Sequence, residues 1–170
     1  ADTGMDVLTH AVDAYSATYH NAFADGLSLK ATQIVFKHLR RAVANGAEDM
    51  EAREKMADAA TIAGLAINAS NINLSHSLGH AVGAYFKLPH GRIVGLFLPY
   101  AVEYMLNGDV DTRFVDLARM AGLTDSEDEQ EGGRALVEGI RALAREIGQP
   151  LSIAELGIDD NTLVLFSSDN

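Results

Sequence analysis

The chain has 170 residues, 48% of them hydrophobic and 22% charged, which is typical of a folded globular protein and excludes a disordered one. Its formal net charge of −11 disfavours nucleic acid as a partner, because phosphate backbones are bound by clustered Lys and Arg side chains. The absence of cysteine excludes disulfides and thiolate metal sites, so any bound metal needs nitrogen and oxygen ligands.

Hydropathy and the first residues of the chain indicate its cellular location. No stretch approaches the roughly 20 uninterrupted apolar residues that a membrane-spanning helix needs. The opening ADTGMD lacks the basic and apolar segments of an export signal. Together with the lack of cysteine, these features lead us to expect a cytoplasmic protein with no membrane partner.

The first half of the chain shows helical periodicity. Residues 5–17 predict a helix that carries Asp6 and His10 four positions apart, on one face. A second helix is predicted over 22–44, ending where Asn45 and Gly46 supply favoured C-terminal residues. A third is predicted over 49–69, and its second half is so rich in Ala and Gly that it must lie close to a neighbour.

The middle of the chain predicts a helix carrying His76 and His80, then a turn at 87–91 that contains Pro89. The apolar run 93–105 predicts a buried helix that Pro99 kinks or starts. Small residues around these segments, Gly79, Gly83, Gly91 and Gly95, are interpreted as helix-packing positions, and Tyr85 and Phe86 as core residues.

The last third predicts helices over 111–121 and 131–147, separated by an exposed acidic connection, DSEDEQEGG. The segment 158–170 gives no clear element, and strand signals are nearly absent throughout. The sequence therefore predicts an all-α fold in which residues 1–170 form a single helical bundle domain.

Histidines dominate the chemistry that the sequence offers. Three imidazoles at offsets of four and fourteen, His76, His80 and His90, can converge on one metal ion together with Asp6 and His10. Imidazole and carboxylate ligands suit Fe²⁺ or Zn²⁺ better than Ca²⁺ or Mg²⁺. His80, one turn after His76, points toward the same region and suits a proton relay.

The remaining histidines, His20 and His38, have no acidic or imidazole neighbour at helical spacing on an apolar face, and we interpret them as surface or core residues. The pattern is also not the HExxH of metalloproteases, because Ser77 follows His76. Peptide hydrolysis would therefore lack its usual general base.

Two segments carry a family resemblance. GMDVLTHAVDAY and NLSHSLGHAVGAYFKLPHGRIVGLFLPYAVEYM resemble the two signature regions of the iron-containing, or group III, alcohol dehydrogenases, with similarity running over 4–157. The resemblance implies the helical C-terminal domain of that family, of dehydroquinate synthase-like fold. It also implies that the catalytic divalent metal is bound by Asp6, His10, His76 and His90. In the family the histidine corresponding to His80 lies beside the nicotinamide and the substrate.

The activity implied by the resemblance is interconversion of an alcohol with an aldehyde or ketone, with hydride transfer to NAD or NADP. Iron is the expected metal, and zinc is found in some members. Family members also have an N-terminal nucleotide-binding domain with a Gly-rich phosphate loop, and no such loop is found in this sequence. We therefore expect the metal-binding catalytic half alone, with a separate nucleotide-binding domain as a partner.

Other functions remain open at this point. A catalytic half that lacks its partner domain would expose an apolar face, which predicts a homodimer. The chain could instead be a non-enzymatic, self-associating helical module that binds metal without a nicotinamide response. A third interpretation is a metal-assisted hydrolase in which water takes the place of the alcohol.

Overall fold

The computed structural model describes residues 1–157, and the expected irregular segment 158–170 lies outside the described residues. Within that range the chain forms seven α-helices and no strand, which confirms the all-α prediction. The helices are α1 (Asp2–Ser16), α2 (Ala22–Ala44), α3 (Met50–Ala69), α4 (Leu74–Phe86), α5 (His90–Leu106), α6 (Phe114–Met120) and α7 (Glu129–Glu146), followed by a 3-10 turn at Ala154–Leu156.

Helix α1 lies at the centre of the bundle, in contact with α2, α3, α4 and α5. Apolar side chains cover most of its circumference, and Met5, Leu8, Ala11, Val12 and Tyr15 are all buried. A helix that is apolar on nearly every side has to be surrounded by other elements. Because α1 is held on several sides, its few polar side chains are held in fixed positions.

Helices α2 and α3 form an antiparallel hairpin along one side of α1. Asn21, which caps the start of α2, donates a hydrogen bond to the carbonyl oxygen of Ala69 at the end of α3. At the other end, Arg41 of α2 pairs with Asp49, the residue that caps α3. The Ala-rich half of α3 buries Ala59, Ala63 and Ala66, as its composition predicts.

Glycines bring α4 and α5 together and bring α5 against α1. A Cβ atom added at Gly79 would lie 2.5 Å from Val94, and one at Gly83 would lie 2.9 Å from Ile93. A Cβ added at Gly95 would lie 2.9 Å from the Cβ of Met5, and one at Gly91 would lie 2.3 Å from the carbonyl oxygen of Asp2. These are helix-packing positions, as predicted.

The turn between α4 and α5 is shorter than the expected turn at 87–91. Lys87 adopts a left-handed conformation, with φ of 55°, which ends α4. Pro89 then precedes a helix that begins at His90, because its fixed φ suits the start of a helix. His90 is thus the first residue of α5 and not part of a turn, and Pro99 is buried within the same helix.

Four other expectations need correction. Helix α6 begins at Phe114, after the expected residue 111. Helix α1 begins at Asp2, ahead of the expected residue 5, and α7 begins at Glu129, so half of the acidic connection is its first turn. Tyr85 is 79% exposed and is not a core residue, whereas Phe86 is partly buried beside the small α4–α5 core. None of the helices in residues 1–157 combines the length and apolar character needed to cross a bilayer.

Candidate metal centre

Four side chains from three helices converge at one point. Asp6 and His10 come from α1, His76 from α4 and His90 from α5, and one ligand atom from each lies within 4.8 Å of the others. The Oδ1 atom of Asp6 is 3.5 Å from His10 Nε2, 3.7 Å from His76 Nε2 and 3.4 Å from His90 Nε2. The structure therefore brings together the four residues predicted as metal ligands.

The fold positions each of these side chains through a local feature. Asp6 and His10 are one turn apart on α1, so both point to the same side of the helix. His76 lies in the first turn of α4, and His90 is the first residue of α5. Because Gly91 has no side chain, the start of α5 can approach the α1 backbone and hold His90 beside Asp6.

The donor set fits a divalent first-row metal. Asp6 Oδ1 and His76 Nε2 are buried and have no hydrogen-bond partner, which is costly for polar atoms unless a ligand satisfies them. Ligand atoms about 2.0–2.1 Å from a tetrahedral metal lie about 3.4 Å from one another, close to the distances around Asp6 Oδ1. Three imidazoles and one carboxylate suit iron or zinc.

Electrostatics in the cluster favours the metal-binding protonation state of two groups, Asp6 and His10. Burial disfavours the charged form of Asp6, but nearby His76, His10 and His90 outweigh this effect and lower the pKa of the carboxyl. Burial lowers the pKa of His10, and the imidazoles of His76 and His90 act in the same direction. The carboxylate is thus ionised and His10 is neutral, as metal coordination requires.

His76 lies between two carboxylates. Burial disfavours its charged form, but the hydrogen bond to Asp13 and the proximity of Asp6 outweigh it and raise the pKa of His76 to about 9. The side chain is only 2% exposed, so its ring is fixed by these neighbours. A metal at this point would take the place of a proton on Nε2.

Asp13 is the residue of this region that the sequence analysis missed. It is fully buried on α1, and its Oδ2 atom lies 2.9 Å from His76 Nδ1. Asp13 follows Asp6 by seven residues and therefore lies on the same side of α1, two turns further along. An acidic residue among the apolar positions of a central helix was the signal that could have identified it.

His80 lies beside the cluster but is not one of the four converging residues. Its ring centroid is 5.7 Å from that of His76 and 5.2 Å from that of His90. The residue is exposed, yet partial desolvation of its ring by the neighbouring groups, together with the charges of His76 and His90, lowers the pKa of His80 and favours the neutral ring. The other two histidines lie elsewhere: His20 is exposed near Asp25, and His38 is buried on α2.

Comparison with known proteins connects this geometry to a family. Residues 1–168 match the family described as Fe-containing alcohol dehydrogenase, C-terminal. Aldehyde-alcohol dehydrogenase of Streptococcus pneumoniae serotype 4 is 38% identical over 175 residues, covering 94% of this chain and 19% of that protein.

Solved structures show the same similarity. Alcohol dehydrogenase from Oenococcus oeni is 36% identical, with a TM-score of 0.86 over 92% of this chain and 41% of that one. Sulfoacetaldehyde reductase from Bifidobacterium kashiwanohense, solved in complex with NAD⁺, is 31% identical, with a TM-score of 0.81 over 94% of this chain and 40% of that one.

The chain thus spans about a fifth of the curated relative and two fifths of the solved structures that it matches. The fold and the match to the family over almost the whole chain point to one conclusion. The chain belongs to the iron-containing alcohol dehydrogenase family and corresponds to its helical C-terminal domain.

Proposed function

We propose that the chain is the metal-binding catalytic part of an NAD(P)-dependent alcohol dehydrogenase, which interconverts an alcohol and an aldehyde or ketone. The observation that carries the proposal is the convergence of Asp6, His10, His76 and His90 within 4.8 Å. Their DxxxH and HxxxHx9H spacing accompanies a family match over residues 1–168. Fe²⁺ is our first choice of metal and Zn²⁺ the second.

These four residues would hold a divalent metal, which would act as a Lewis acid toward the oxygen of the substrate. Oxidation of the alcohol would transfer a hydride from its carbon to the nicotinamide and would release the hydroxyl proton. We assign that proton to His80, whose neutral ring lies at the exposed edge of the cluster. Asp6, His10, His76 and His90 are the proposed metal ligands, and His80 is the proposed catalytic and cofactor-contacting residue.

Elemental analysis tests the metal site directly. The chain, purified without a histidine tag and after anaerobic addition of Fe²⁺ or Zn²⁺, should contain about one metal ion per chain. The His76→Ala variant should lose it, because one of the four ligands and the most deeply buried imidazole is removed.

His20→Ala is the matched control, since it removes an exposed imidazole that is not one of the converging residues and should leave the metal content unchanged. A wild-type chain that holds no metal under these conditions would contradict the proposal. Equal metal loss in the two variants would show that binding is not specific to the cluster.

The partners and the nicotinamide follow from the same proposal. We propose a small alcohol or aldehyde as substrate, NAD or NADP as cofactor and a nucleotide-binding domain as the partner that contributes the remaining cofactor contacts. A homodimer would cover exposed aromatic side chains such as Tyr85 and Tyr104, which are 79% and 74% exposed. Sedimentation at micromolar concentration distinguishes this dimer from a monomer.

The two alternatives give different results. A non-enzymatic metal-binding module would hold metal but leave NAD(P)H fluorescence unchanged, even with a nucleotide-binding domain added. A metal-assisted hydrolase would cleave an ester or phosphoester probe and would lose that activity in His76→Ala. Alcohol-dependent reduction of NAD⁺ or NADP⁺ favours the dehydrogenase.

A further inference from the structure

We propose that Asp13 is a positioning residue for the metal centre, which orients His76 and strengthens it as a ligand. This inference rests on the metal site proposed above. Asp13 has no exposed surface. It is not one of the four converging residues, because its Oδ2 atom faces Nδ1 of His76, on the side of the ring away from the cluster. The other ring nitrogen, Nε2, faces Asp6.

The contact determines which ring nitrogen is free. Oδ2 of Asp13 lies 2.9 Å from Nδ1 and accepts a hydrogen bond from the N–H at that position. With the proton on Nδ1, the lone pair of the neutral ring lies on Nε2, which points into the cluster and has no hydrogen-bond partner. A carboxylate behind a ligating imidazole fixes its orientation and raises its basicity.

The same oxygen also fixes the backbone that carries His76. The backbone N–H groups of Asn73 and His76 each donate to Oδ2 of Asp13 at 3.1 Å. These are free N–H groups at the start of α4, so a carboxylate of α1 completes the first turn of another helix. Asp13 therefore holds both the ring and the main chain of one ligand, through contacts that cross 63 residues of sequence.

Asp13→Asn is the informative variant. An amide oxygen in the place of Oδ2 can accept the same three hydrogen bonds, so the shape is kept while the negative charge behind His76 is lost. We expect the affinity for Zn²⁺, measured by competition with a chromophoric chelator, to fall about 10- to 100-fold. The visible spectrum of the Co²⁺-substituted protein should change as well.

Asn73→Ala is the matched control, because it removes another contact that holds the start of α4. The Asn73 side chain donates to the carbonyl oxygen of Ser16 and accepts from the N–H of Leu74, and it does not touch His76. This variant should unfold at lower urea concentration than the wild type, yet bind Zn²⁺ within about threefold of the wild-type affinity.

The outcomes separate this inference from the proposed function. If the wild type binds Zn²⁺ and Asp13→Asn binds it with the same affinity, the role of Asp13 is overturned and the metal centre stands. The same holds if Asn73→Ala loses as much Zn²⁺ affinity as Asp13→Asn. A wild-type chain that binds no Zn²⁺ would overturn both. If Asp13→Asn does not fold, nitrogen NMR of the Zn²⁺-loaded wild type decides: a proton on Nδ1 of His76 supports the inference, and zinc on Nδ1 contradicts it.

Discussion

Glu129 is the first residue of α7, yet its side chain completes the start of α6. One of its carboxylate oxygens accepts hydrogen bonds from the Thr112 hydroxyl and from the N–H of Phe114, and the other accepts from the N–H of Val115 at 3.1 Å. Arg113, which precedes α6, has a left-handed backbone and provides no side-chain cap. Helix α6 therefore depends on a residue of another helix for its first turn.

We expect Glu129→Ala to lower the free energy of unfolding by about 1–2 kcal/mol, because two backbone N–H groups and a hydroxyl lose their acceptor. Urea unfolding followed by circular dichroism measures the change. Glu127→Ala is the control, since this carboxylate is 85% exposed and only approaches Arg119 at 3.8 Å, and it should change stability by less than about 0.5 kcal/mol. Equal effects of the two substitutions would contradict the capping role.

The crossing of α1 and α5 is the contact between elements that matters most to the site. Gly91 lies where the two helix starts meet, and an added Cβ would be 2.3 Å from the carbonyl oxygen of Asp2 and 3.1 Å from the Cβ of Asp6. The first of these atoms belongs to the backbone, so it cannot move aside without moving α1. The separation of α1 and α5, and with it the distance from Asp6 to His90, depends on this glycine.

Gly91→Ala should therefore destabilise the protein by about 1–3 kcal/mol and weaken Zn²⁺ binding, because α5 has to move away from α1. Gly64→Ala provides the comparison: it lies in α3, where an added Cβ has no atom within 4 Å. That substitution should stabilise the protein by about 0.5–1 kcal/mol and leave Zn²⁺ affinity unchanged. Urea unfolding and chelator competition test both, and a Gly91→Ala protein with wild-type affinity would refute the argument.

The helices show which elements can be predicted from sequence. The bounds of α2 were predicted as observed, with Asn45 and Gly46 marking its end, and the structure shows that Asn21 caps its start. The start of α5 was predicted three residues late, because Pro89 was read as part of a turn when it directly precedes the helix. Local signals thus predict the existence and order of the helices, whereas some of their ends depend on neighbouring elements.

At the scale of the whole molecule, part of the candidate site could be predicted from the sequence and part could not. Spacing and residue types predicted one region for Asp6, His10, His76, His80 and His90. The family resemblance then implied the four that converge in the structure. Asp13 was missed, because its importance comes from a contact with His76 that exists only after α1 and α4 pack together. The exposure of Tyr85 was also missed, because an aromatic residue near the end of an apolar helix resembles a core residue.

Metal removal should lower the stability of the whole bundle. A ligand that binds only the folded state stabilises it by mass action, by about 2.7 kcal/mol at a concentration 100 times its dissociation constant. We therefore expect the thermal midpoint to rise with Zn²⁺ concentration and to return to the apo value when a chelator is added. His76→Ala should show a midpoint that does not depend on Zn²⁺, and a wild-type midpoint equally insensitive to Zn²⁺ would contradict the metal centre.

A metal held by residues of three helices would also link parts of the chain that are far apart in sequence. Between His10 and His76 the chain runs through both α2 and α3, which contribute none of the four residues. A metal bound by α1 and α4 would therefore act as a covalent-like cross-link that encloses this hairpin in a closed loop, in a chain that has no cysteine to form one. The hairpin would gain resistance to local opening from an ion that it does not touch.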